Sequence, residues 1–218
     1  MRISFIIDGF NLYHSICDLI EDRPGTHAKW LDIRSLCSEF LPSIDTSATI
    51  STITYCTSYP YHRVTKKDPD KVKRHKAYVE CLKDTGINVQ EGHFKKRTIK
   101  REFNIWGNKI SLELIEHEEK ETDVAIACLM LIHLMDSNID AVFLLTGDTD
   151  LTPVIKIAKM KFSNKPIYVL FPYNRHNHEL KKLADKSFNL NSDHYIKYQF
   201  SDPYIMTNKS RIQKPPGW

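Results

Sequence analysis

Short continuous apolar runs, separated by segments with helical spacing, set the plan of this chain. Arg2-Ile-Ser-Phe-Ile-Ile-Asp8, Ala141-Val-Phe-Leu-Leu-Thr146 and Lys165-Pro-Ile-Tyr-Val-Leu-Phe171 are the clearest runs. The continuous run at 141–145 suits a strand buried on both faces, the usual condition in a parallel sheet under helices, and in 2–8 Ile3, Phe5 and Ile7 alternate with Ser4, Ile6 and Asp8 as in a buried strand ending in a carboxylate. Ala48 to Cys56 is rich in β-branched residues and predicts a further strand, and Ile87 to Gln90 another. Phe188 to Leu190 predicts a last short one. Between them, helical spacing predicts helices over 12–20, 31–41, 69–84, 123–135, 151–162 and 179–185. Pro24-Gly25 ends the first, Pro42 the second, and Gly86 the third.

Two segments depart from this alternation. Residues 92–117 read as β-like, with arms at 93–97 and 110–115 and a turn near Asn104 to Asn108 marked by Gly107-Asn108. They predict a small antiparallel excursion from a mainly parallel sheet. The helix over 123–135 is apolar nearly all round, which predicts burial in the middle of the fold, and Thr122 is placed to cap it. Strands alternating with helices give the α/β class. Residues 1–200 are expected to form one domain, and 201–218, with Pro203, Pro215 and Pro216 among basic residues, a weakly docked or disordered tail.

Composition narrows the function. No apolar stretch is long enough to span a bilayer, and Asp8 interrupts the first run too early for a signal-peptide core, so no membrane partner is expected. Five cysteines, odd in number and set in apolar patterns, predict free buried thiols and a cytoplasmic setting. The net charge of +4 conceals segregation: residues 60–101 hold 13 basic and 5 acidic residues, and 102–150 hold 2 and 11. That pattern suits a cation-binding site bordered by a polyanion-binding surface, or simply separate solvated faces.

The candidate chemistry lies at strand ends. Asp8 closes the first strand, Asp148 and Asp150 follow the run at 141–146, and Asp123 opens a helix. If the strands are parallel neighbours, four carboxylates converge at one edge of the sheet, where open α/β folds bind ligands. Such a cluster requires compensation, and Mg²⁺ or Mn²⁺, hard cations that favour oxygen ligands and retain waters, supplies it. A water activated in this way is what phosphodiester hydrolysis requires. Each acid also has a plain structural reading, as a helix cap or a complement to a helix dipole, and Asp150 has a stronger claim to capping than Asp148.

Ile7-Asp-Gly-Phe-Asn-Leu-Tyr-His14, Glu119-Lys-Glu-Thr-Asp-Val-Ala-Ile-Ala127 and Leu145-Thr-Gly-Asp-Thr-Asp-Leu151, in that order, resemble the NYN domain of the LabA/DUF88 type, within the PIN-like nuclease superfamily. The resemblance covers roughly residues 1 to 200. It implies a PIN-like Rossmannoid three-layer sandwich and a metal-dependent ribonuclease. Carried over by motif, Asp8, Asp123, Asp148 and Asp150 are the metal-site residues, with Asn11 beside them as an orienting group. Thr149 stands where the family often has Gly or Ser, and Leu151 where an aromatic is common. Residues 93–120 contain no cysteine, so the zinc knuckle of some relatives is not expected.

For the substrate, single-stranded RNA, the expected contacts are Arg63, Lys66, Lys67, Lys71, Arg74, Lys95, Lys96 and Arg97 on phosphates. Tyr78 is expected on the same helix face, and Tyr59, Tyr61 and Phe94 are expected to stack on bases. His176 and His178 read as surface histidines. The alternative is a binding module that keeps the fold and grips RNA or a protein without cutting. A haloacid-dehalogenase-type phosphatase is disfavoured because Phe10 stands where its second aspartate belongs. Homo-oligomerisation is left open.

Overall fold

The structure is a computed structural model and describes residues 1–63, 65–66, 68–105 and 108–218. Its strands, in chain order, are β1 (Arg2–Asp8), β2 (Thr49–Thr57), β3 (Asn88–Glu91), β4 (His93–Ile105), β5 (Asn108–Lys120), β6 (Ala141–Leu145), β7 (Ile167–Phe171), β8 (Lys186–Asn189), β9 (Tyr204–Ile205) and β10 (Arg211–Ile212). The helices are α1 (Gly9–Asp22), α2 (Ile33–Phe40), α3 (Lys71–Asp84), α4 (Thr122–Met135), α5 (Thr152–Lys161), α6 (His178–Leu183) and α7 (Ser192–Lys197).

Six strands form one parallel sheet in the order β3-β2-β1-β6-β7-β8. Chain order runs outward in both directions from the β1–β6 pair, so a topological switch point lies there. Alternate strand residues feed two cores. Ile3, Phe5, Ile7, Phe143 and Leu145 pack under α1, α2 and α3. Ile6, Val142, Leu144 and Val169 pack under α4, α5 and α6. All five residues of β6 and all five of β7 are buried. Helices on both faces of a parallel sheet make a three-layer α/β sandwich, as the sequence predicts.

The hairpin β4–β5 stands apart as its own antiparallel sheet, with register from His93↔Lys120 to Ile105↔Asn108. Its arms are longer than the sequence pattern shows, because none of the hairpin residues whose burial is described is buried and no periodicity marks their ends. The turn residue Gly107 lies outside the described residues.

Three expectations are corrected. Helix α4 is not buried all round: Ile126, Met130 and Leu134 pack inward, whereas Val124, Ile132 and Met135 are 68%, 58% and 72% exposed. An outer-layer helix touches the sheet along one stripe only, however apolar its other side. Thr122 is the first helical residue rather than the cap. The cap position belongs to Glu121, in the left-handed region at φ 79°, with no side-chain cap bond. Cys37, Cys56 and Cys81 are buried free thiols as expected, but Cys17 is half-buried and Cys128 exposed.

Residues beyond 200 are held by aromatic packing. β9 and β10 pair antiparallel, and Trp218 approaches Trp30 at 6.2 Å and Tyr78 at 5.7 Å between ring centroids. Among the described residues, no helix is long and apolar enough to cross a membrane.

Candidate active site

At the switch point the carboxyl ends of β1 and β6 lie side by side, with Ile7 paired to Leu145. Asp8 follows Ile7 and is only 4% exposed. Both its oxygens are engaged: Oδ1 accepts from the Asn11 amide at 2.9 Å, capping α1, and Oδ2 accepts from Thr146 Oγ1 at 2.9 Å. Burial pushes the Asp8 carboxyl up to about 6, those two hydrogen bonds pull against the rise, and the charges of Asp123 and Asp148 add to it.

Thr146, also buried, links Asp8 to the next turn, because its Oγ1 accepts from the Asp148 amide at 3.1 Å. Asn11 Oδ1 accepts from the Gly147 amide at 3.0 Å. Gly147 must be glycine for a steric reason: a Cβ there would lie 2.2 Å from the Arg175 carbonyl oxygen. Asp148 Oδ1 then accepts from the Asp150 amide at 2.9 Å and caps the short 3-10 turn Thr149–Leu151. The capping role thus falls to Asp148, not to Asp150 as the sequence suggests, because this turn separates β6 from α5. Leu151 is buried in the core beneath and Thr149 is exposed.

Asp123, in the first turn of α4, meets Asp148 and Asp150 here. One carboxylate oxygen from each of the three lies within 4.8 Å of the others. This donor set, all oxygen and all anionic, fits a hard divalent cation. Asp8 is not one of the three; it sits behind them and anchors the loop that carries Asp148.

These observations place the chain. Its residues 2–191 match the family model described as the NYN domain. The chain belongs to the NYN domain family. That family lies in the PIN-like superfamily and gives the protein a nuclease-like character. A protein of unknown function from Vibrio parahaemolyticus, known from its crystal structure, shares the fold at 15% identity with a TM-score of 0.53, over 88% of this chain and 94% of that one. No curated protein matches the chain.

The basic residues expected on RNA are divided in this NYN domain between the segment from Arg63 to Arg74 and strand β4. Arg63 and Lys66 are exposed near the carboxyl end of β2, and Lys67 lies outside the described residues. Lys71 and Arg74 open α3, where Arg74 is held by both oxygens of Asp68 at 2.6 and 2.8 Å. Tyr78 does not join them: it is buried and donates to the Leu31 carbonyl. Lys95, Lys96 and Arg97 lie on β4, and the register sets them opposite Glu118, His117 and Glu116 of β5. Part of the charge segregation in the sequence is therefore the contrast between the basic β4 and the acidic β5 of one hairpin. Lys100 and Glu113 pair across it at 3.1 Å.

Tyr61 is exposed, and Lys76 Nζ lies 5.5 Å from its ring centroid and 5.6 Å from that of Tyr59. Phe94 packs at 5.7 Å from Phe10 and at 4.4 Å from His62. His176 and His178 are both exposed, His178 opening α6. Thr146 and the aromatic contacts around Phe10 were not singled out from sequence; a buried threonine closing an apolar strand was the one available signal.

Proposed function

We propose that this NYN domain is a metal-dependent ribonuclease that hydrolyses phosphodiester bonds of single-stranded RNA. The convergence of Asp123, Asp148 and Asp150 at the switch point carries the reading. These three would hold Mg²⁺ or Mn²⁺, which when bound supplies charge compensation and activates water for attack on phosphorus. Asp8 positions the cluster from behind: through Thr146 it fixes the Asp148 amide, while Asn11 fixes that of Gly147. Arg63, Lys66 and Lys71 serve the phosphate backbone, with Lys95, Lys96 and Arg97 contributing less because of the acidic strand opposite. The free cysteines suit a cytoplasmic setting.

The test is cleavage of a 5′-labelled single-stranded RNA in Mn²⁺, in EDTA, and by the Asp148→Asn protein. Cleavage is expected in Mn²⁺ and absent in EDTA, and the variant should lose at least about 100-fold in rate. RNA that is bound but never cut, with any divalent metal, would overturn the assignment in favour of a binding module.

A further inference from the structure

On the other side of β1 from α4 and α5 lies a cavity of about 250 Å³, between α1, α3 and the base of the hairpin. Arg63 and Lys71, two of the residues proposed to serve the phosphate backbone, line it. Its floor is apolar, formed by Leu12, Ile16, Tyr55 and Tyr78. Phe10, Tyr13 and Phe94 wall one side, and Trp218 also lines it. Its charged groups are Lys29, Arg63, Lys71 and Arg74 against a single carboxylate, Asp68. Asp68 is taken by Arg74, and among the described residues Lys29, Arg63 and Lys71 make no ion pair. An apolar, aromatic-lined chamber with cations that make no ion pair among the described residues suits a ligand with a flat ring and a negative charge.

Short backbone links join the cavity to the acidic end of the sheet. Gly9 and Phe10, in its lining, directly follow Asp8. Ser58, also in the lining, is separated from Thr122 only by Gly92, where a Cβ would lie 2.8 Å from Ser58 Oγ and 2.7 Å from Thr122 Oγ1. Thr122 precedes Asp123. The volume is below the range of about 300–1,000 Å³ common for drug-sized ligands, which suits one nucleotide rather than a stacked pair.

We propose that this cavity is a nucleotide subsite that takes one unstacked ribonucleotide of the strand, its base against Phe10 and Phe94 and its phosphate on Arg63 and Lys71. Naming the ligand as part of an RNA strand rests on the ribonuclease reading; the presence of the subsite does not. Base–aromatic stacking and phosphate contacts together give a site that both holds the strand and biases which base sits beside the cut.

The experiment is calorimetric titration of the intact protein in EDTA with the four 5′-ribonucleoside monophosphates, their nucleosides, and inorganic phosphate. At least one monophosphate is expected to bind at least about tenfold tighter than both its nucleoside and phosphate alone. Arg63→Ala with Lys71→Ala, and separately Phe94→Ala, should each weaken it by about tenfold or more. Asp148→Asn should leave it within about twofold, since the carboxylates are not part of the cavity; that arm separates failure of the subsite from failure of the nuclease reading. No measurable binding of any monophosphate, equal binding of phosphate alone, or binding indifferent to both sets of substitutions would overturn the proposal. Should RNA cleavage fail while these affinities hold, the subsite stands and the catalytic reading falls.

Discussion

Thr146 Oγ1 donates to Asp8 Oδ2 at 2.9 Å while accepting from the Asp148 amide at 3.1 Å, so one hydroxyl couples a buried carboxylate to an exposed acidic turn. Thr146→Val keeps the shape and removes both bonds. It should cost about 1–3 kcal/mol in stability, because an Asp8 oxygen loses its partner in the interior. RNA cleavage should fall about 10–100-fold, as when the partner that orients a metal ligand is lost. Thr146→Ser, which retains the hydroxyl, should recover most of the rate. Denaturant titration and a cleavage assay on the three proteins check this.

Gly147→Ala tests the steric fit of the same turn. Its Cβ would meet backbone, the Arg175 carbonyl at 2.2 Å, so either the turn or the 172–176 loop must move. Overpacking of this kind costs about 1–3 kcal/mol. A melting curve should show the loss, with cleavage reduced because Asp148 moves with Gly147.

The metal-free protein should show two opposed pH trends. The folded state holds the Asp8 carboxyl at about 6 against 3.8, so it favours the protonated form. Stability from this source is complete below pH 3.8 and is lost as pH rises through about 6. His75, half-buried and bonded to Thr57, is lowered by desolvation to about 4 from 6.5. Its contribution is complete above pH 6.5 and is lost as pH falls through about 4. In EDTA at neutral pH, Asp8→Asn should therefore be more stable than the parent by about 1–3 kcal/mol. The difference should shrink toward pH 4. Urea denaturation across that range reads both trends.

The two sides of α4 should respond differently to substitution. Ile126→Ala opens a hole in the core under β6 and should cost about 2–5 kcal/mol. Ile132→Ser, on the exposed side, should change stability by no more than about 0.5 kcal/mol. Equal losses would contradict the one-sided burial of this helix.

How far the fold could be read from sequence follows from what buries each segment. β6 and β7 are buried at every residue, so their apolar runs were unambiguous. Asp8 is legible for the same reason: β1 is buried from Ile3 onward, and a carboxylate closing such a run contributes no packing. Helix α4 misled because hydropathy reports what a residue prefers, whereas exposure of Val124 and Met135 depends on which layer the helix occupies. The exchange of roles between Asp148 and Asp150 follows from a 3-10 turn of three residues, too short to leave a periodic signal. Tyr78 looked like part of a basic face because Lys71 and Arg74 precede it at helical spacing, but its ring packs against Trp218, 140 positions away in the chain. Contacts of that range leave no local pattern.

The most direct measurement is a crystal soaked in Mn²⁺, with the anomalous signal locating the ion. A peak bounded by the carboxylates of Asp123, Asp148 and Asp150 is expected, with Asp8 still bonded to Thr146 behind it. A soaked crystal with no ion between those three side chains would contradict the site.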